Sequence, residues 1–112
     1  MHQNYKNKVL KANDIATMST GKRLGHPVRS IKNPYTKEYF KLEYSNISDE
    51  ELEAYGRGSL YRAAVEGNEK TGCFLAGQIA GMVNKEQTAK EIIEEIFTQA
   101  EDVLKGETKW VK

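Results

Sequence analysis

Cysteine, proline and histidine are scarce in this 112-residue chain, which has one Cys, two Pro and two His. The lone Cys73 has no partner for an internal disulfide. No Cys or His stands near it at zinc-ligand spacing, so neither a covalent staple nor a structural metal is expected to support the fold. Long charge-free apolar stretches are missing as well, and the mean hydropathy is -0.70, which excludes a membrane-spanning helix. The first residues do not read as a basic-then-apolar secretory leader, so a cytoplasmic protein is expected. With 38% apolar and 29% charged residues, the chain has the size and composition of one small domain held together by apolar burial.

Catalytic signatures are just as sparse. Gly21-Lys22 lacks the upstream glycine of a P-loop, because Ala16 occupies that position. Gly56-Arg57-Gly58 begins a dinucleotide fingerprint that Tyr61 breaks. There is no Gly-x-Ser-x-Gly elbow, and His2 and His26 are too far apart to form a local metal pair. Cys73, between Gly72 and Phe74 with no base nearby in sequence, reads as a buried small hydrophobe rather than a nucleophile. Taken on their own, the residues assemble no catalytic machinery and no metal site.

Charge is present but unevenly spread. Residues 1–37 carry eight Lys or Arg against Asp14 alone, and the remainder carries nine bases and fifteen acids, a split of +7 against -6. Such a split fits either a solvated face or a surface that attracts an acidic partner. His26 lies in the basic loop 22–29, where Gly25 permits close approach and Arg23 and Arg29 could hold phosphate or carboxylate; the simpler alternative is a loop histidine bonded to backbone.

The spacing of Tyr5, Val9 and Ala12 predicts a helix over 4–12, and the runs 15–20 and 28–31, stopped by Gly21 and by Asn33-Pro34, predict two short strands. Thr36 is expected to cap a helix through Leu42. Ser48 and Glu51 form a capping-box pattern for a helix ending near Gly56, and a further helix runs from Ser59 to Glu66. Thr88 and Glu91 open a last helix that Gly106 is expected to end, with Ile92, Ile93, Ile96, Phe97, Ala100, Val103 and Leu104 in one wide stripe. A stripe of that breadth is expected to pack on something large. The segment 72–83 has three glycines and no charge; glycine is favoured there where φ is positive or where a packed helix or a flat ligand comes close.

Three stretches taken in order resemble the flavin-dependent enoyl-acyl-carrier-protein reductase II (FabK) and nitronate monooxygenase (2-nitropropane dioxygenase-like) family. They are Tyr5-Lys6 with Ala12-Asn13-Asp14-Ile15-Ala16-Thr17, then Gly25-His26-Pro27-Val28-Arg29-Ser30-Ile31-Lys32-Asn33, then Leu75-Ala76-Gly77-Gln78-Ile79-Ala80-Gly81. The resemblance implies an α+β fold: a mostly helical cap domain with one or two short strands, the C-terminal portion of a TIM-barrel flavoenzyme. It further implies that residues 1–14 are the helix after the last barrel strand, 15–87 the substrate or cap domain, and 88–112 a C-terminal amphipathic helix and tail.

By the same resemblance, the parent enzyme passes hydride from NADH or NADPH through FMN to the double bond of an enoyl thioester in fatty acid biosynthesis. Ala76, Gly77 and Gln78 would then lie against the cofactor, and His26, Arg29 and Leu75 against the substrate. Leu75 stands where many relatives have methionine, and Cys73 where a small serine is expected. The family's active-site histidine lies in the barrel, so no catalytic residue is expected here, and this chain alone is expected to be inactive and to bind neither FMN nor NAD(P)H. The implied partners are the N-terminal FMN-binding barrel and the acidic acyl carrier protein, drawn to the basic first third. A membrane is not expected, and neither is nucleic acid, because the basic stretch offers only Tyr5 and Tyr35 for stacking. Two other readings stay open: a nitronate monooxygenase fragment, and a free-standing helical module for an acidic partner or nucleic acid.

Overall fold

The structure, a computed structural model, describes residues 1–108. It begins with helix α1 (Gln3–Lys11), where the His2 ring accepts a bond from the Asn4 amide at 3.0 Å and Lys8 and Lys11 sit at the carbonyl end, the favourable position for cations. Strands β1 (Thr17–Thr20) and β2 (Val28–Ile31) then form an antiparallel pair, with Thr17 opposite Ile31 and Thr20 opposite Val28. The connecting loop depends on Gly21, whose φ of +87° suits glycine; a Cβ there would also come 3.0 Å from the His26 carbonyl oxygen. The Gly21 amide donates to the buried Glu43 carboxylate at 2.5 Å.

Helices α2 (Pro34–Glu43), α3 (Asp49–Gly56) and α4 (Ser59–Ala64) follow, then a 3-10 turn (Gln78–Met82) and helix α5 (Ala89–Thr108). The result is a small helical domain carrying a two-stranded sheet. Ser48 caps α3 by accepting from the Glu51 amide at 3.2 Å. Thr88 and Glu91 cap α5 reciprocally, both bonds at 3.2 Å.

Two local expectations need correction. Asn33, not Thr36, caps α2: the Asn33 side chain accepts from the Thr36 amide at 2.9 Å, while the Thr36 hydroxyl accepts from the Asn33 amide at 2.9 Å. Pro34 takes the first helical position, which suits its fixed φ, and it holds Asn33 extended. Nor does Gly106 end α5, which runs on to Thr108; Gly106 is not among the glycines with positive φ, and without a left-handed turn a glycine only weakens a helix.

The core is two small clusters, one of Tyr35, Tyr39, Leu52 and Cys73, the other of Ile31, Ala63 and Phe74. Segment 72–76 runs between them and contributes to both. Its start fits closely on α4, since a Cβ at Gly72 would lie 2.8 Å from the Ala63 Cα. Its position is set by Asn33, whose amide group donates to the Gly72 carbonyl at 2.7 Å and to the Glu69 carbonyl at 3.0 Å.

The stripe on α5 packs on nothing large among the described residues. Ile92 is 43% exposed and Phe97 68%, with Ile93, Ile96, Val103 and Leu104 between them, and the molecule extends over 63 × 31 × 20 Å. Near its start, Glu95 pairs with Lys85 at 3.2 Å.

Replacing Asn33 with Ala removes a cap and leaves two carbonyls without their donor, so the urea unfolding free energy should fall by about 2–3 kcal/mol; a loss below about 0.5 kcal/mol would contradict this role. Burial raises the phenols of Tyr35, Tyr39 and Tyr55 above 10.0. A folded-state value above the unfolded one means stability that is present below pH 10 and lost as pH rises through the folded value. The urea midpoint should therefore decline above pH 10, and less steeply in Tyr35→Phe.

Candidate functional site

Strand β2 has two used edges. Even-numbered residues bond towards β1, where Lys32 N donates to Ala16 O at 2.9 Å. Odd-numbered ones bond to segment 74–76: Ile31 N donates to Phe74 O at 2.8 Å, Ala76 N donates to Arg29 O at 3.2 Å, and Ser30 bridges Leu75. The Leu75-Ala76-Gly77-Gln78 turn is thus hung on the strand that follows the Gly-His-Pro motif. Helix α1 clamps it from the other side, with the Tyr5 hydroxyl donating to Leu75 O at 2.6 Å and the Tyr5 ring 5.0 Å from that of Phe74.

The three glycines of the segment differ in what surrounds them. Gly72 is crowded by α4, and a Cβ at Gly81 would come 2.7 Å from the Asn13 carbonyl carbon. Around Gly77 nothing lies within 4 Å of such an atom. Its φ of -78° is open to any residue, so nothing inside this chain requires glycine there. Gln78 beside it is exposed, and its carboxamide makes no hydrogen bond among the described residues. Exposed apolar side chains follow in the same 3-10 turn: Ile79 is 71% exposed and Met82 77%. The turn is an exposed surface with one unbonded carboxamide.

Next to the turn lies a cleft of about 430 Å³. Leu24, His26, Val28 and Leu75 line it, with Tyr39 and Leu52 from the first core cluster beneath. The structure therefore brings two of the expected substrate residues, His26 and Leu75, to one cleft. Arg29 is not in its lining; its guanidinium donates to the Thr17 hydroxyl at 3.3 Å across the sheet. Ala76, Gly77 and Gln78 lie beyond Leu75 on the exposed turn.

Arg23 does not hold an external anion, as its place in the basic loop had suggested. Its guanidinium donates to the last carbonyl of α2, at Glu43, and to the carbonyls of Ser45 and Ile47 in the loop to α3, and pairs with Asp49 at 3.0 Å. Cys73 is buried, and burial pushes its thiol up, a rise that the neighbouring Ser30 hydroxyl opposes. Among the described residues, no group of three or more His, Cys, Asp or Glu is placed to hold a metal ion, and no helix is long and apolar enough to cross a membrane. Sequence reasoning missed the role of the Tyr5 hydroxyl, because spacing identifies an apolar face but not the carbonyl a phenol will reach.

No protein-family model matches the sequence, nor does any curated protein. Solved structures do. FabK from Thermotoga maritima superposes with a TM-score of 0.87 at 34% identity, over 97% of this chain and 34% of that one. A methionine-to-alanine variant of FabK from the same organism superposes with a TM-score of 0.76 at 30% identity, over 97% of this chain and 32% of that one. The resemblance read from the sequence is therefore shown in three dimensions, and the chain spans about a third of the length of the FabK chains that it matches.

The buried, protonated state of Cys73 predicts alkylation by iodoacetamide at pH 8 at least about tenfold slower in the native chain than in urea. Equal rates, read by mass spectrometry, would return Cys73 to the list of reactive groups.

Proposed function

We propose that this chain is the cap part of an FMN-dependent enoyl-acyl-carrier-protein reductase, working against an FMN-binding barrel supplied by further polypeptide. The observation that carries the reading is the Leu75-Ala76-Gly77-Gln78 turn, where a glycine not required by its own chain and an unbonded carboxamide are exposed, with the exposed apolar Ile79 and Met82 following them. The likeness to a third of FabK supports it, and so does the uncovered stripe of α5, which a barrel would bury. On this reading residues 1–14 follow the last barrel strand, 15–87 form the cap, and 88–112 are the amphipathic helix and tail, of which 109–112 lie outside the described residues.

The residues present suit one face of a flavin ring: Gly77 leaves room for a flat group, Ala76 adds a small apolar wall, and Gln78 can donate to or accept from a ring heteroatom. They do not suit the flavin phosphate, for which the chain offers no glycine-rich cradle. When bound, FMN supplies hydride transfer from NADH or NADPH to the enoyl double bond. This chain's part is to close over the reacting groups, exclude water and position the acyl thioester. Leu75 and the apolar floor of the cleft give the acyl chain a surface to pack on, while His26 at the cleft and Arg29 nearby offer donors to its carbonyl or carrier end. The exposed Lys22 on the loop beside the cleft adds attraction for an acidic carrier protein.

The direct test is a chimera in which these 112 residues replace the matching third of Thermotoga maritima FabK. It should oxidise NAD(P)H only when an enoyl thioester is present. A folded, flavin-loaded chimera that oxidises nitronates with oxygen, or does neither reaction, would overturn the reading. Gly77→Val in that chimera should lower turnover at least about tenfold, whereas in the 112-residue chain it should change the unfolding free energy by less than about 0.5 kcal/mol. Lys22→Glu should raise KM for the carrier-bound substrate and flatten its dependence on salt; an unchanged KM would remove the electrostatic role.

A further inference from the structure

We propose that a second cleft, of about 510 Å³, between α1 and the end of β2 binds a small phosphate-bearing ligand. Lys8 and Lys11 enter it from the last turn of α1, and Lys32 from the residue just after β2. None of the three has a carboxylate partner among the described residues, whereas Lys6 on the same helix is paired with Glu86 at 3.1 Å. Lys8 is positioned by the Phe74 ring, whose centroid its ammonium approaches to 5.2 Å.

Two amides add neutral donors. The Asn7 and Asn13 side-chain oxygens accept from Gln3 and from the Ile15 amide, both at 3.0 Å, which leaves their NH₂ groups available to the cleft. Glu69 is the one acid in the lining, so the walls carry three positive charges against one negative. Like charges gathered around a concavity repel one another and raise the local concentration of anions; a compact multivalent anion relieves that repulsion best. The concave shape favours a small phosphate compound over the broad face of an acidic protein. This cleft shares no lining residue with the one beside Leu75, so the inference stands or falls independently of the flavoenzyme reading.

The test is a titration of the ¹⁵N-labelled chain with inorganic pyrophosphate at constant ionic strength, read by amide shifts. Saturable shifts are expected at Asn7, Lys8, Lys11, Asn13 and Lys32. The dissociation constant should rise at least about tenfold in a Lys8→Gln, Lys11→Gln, Lys32→Gln triple variant and stay the same in Lys6→Gln. Should the triple variant lose its native circular dichroism, each single variant should still weaken binding about threefold. Shifts that never saturate, variants that bind as the parent does, or a hexaglutamate peptide that binds as tightly as pyrophosphate would each overturn the proposal.

Discussion

The fold turns on one buried carboxamide. Asn33 stands where β2 ends, α2 begins and the 69–72 segment passes, and it must serve all three. Its oxygen caps α2, while its NH₂ group holds the Gly72 and Glu69 carbonyls. Other good helix caps cannot do this: Asp offers no donors, and Ser or Thr offers only one. With Asn33 in place, residues 72–76 are aligned along the free edge of β2 and Phe74 is delivered to the core. The turn after them is presented outward as a consequence.

That geometry goes with a modest core. Of the large apolar side chains among the described residues, only Leu52 and Phe74 are fully enclosed, and the apolar surface of α5 and of the turn faces solvent. Small domains bury a limited share of their surface in any case, and here two sets of uncovered residues each share one element, the α5 stripe and the pair Ile79 and Met82 in the 3-10 turn. On the proposed reading these are the faces that meet a barrel and its flavin, while Lys8, Lys11 and Lys32 of the basic first third line the second cleft.

Much of this was legible in the sequence. Both strands, five helices and the pairs Ser48 with Glu51 and Thr88 with Glu91 follow from period and capping chemistry, which are local. Asn33 and Thr36 are both good caps, and the signal that separates them is Pro34, which belongs at the first helical position. Less legible was anything that depends on what meets what across the chain. Gly72, Gly77 and Gly81 look alike in sequence, and only their neighbours tell two packing glycines from one that faces open space. Arg23 reads as a free cation until the carbonyls it satisfies, some twenty residues away, are brought to it. The stripe on α5 shows that one face seeks cover; periodicity cannot say what supplies it.

Hydrogen exchange on the 112-residue chain tests the central claim most directly, because it reads support residue by residue. The amides of Ile31, Thr36 and Ala76, tied to the Asn33 corner and the β2 edge, should exchange slowest, and those of α5 should exchange at least about a hundredfold faster, as in a helix with nothing packed on its apolar face. Equal protection across α5 and the Asn33 corner would mean that the helix is already covered, and the account of an open cap would be contradicted.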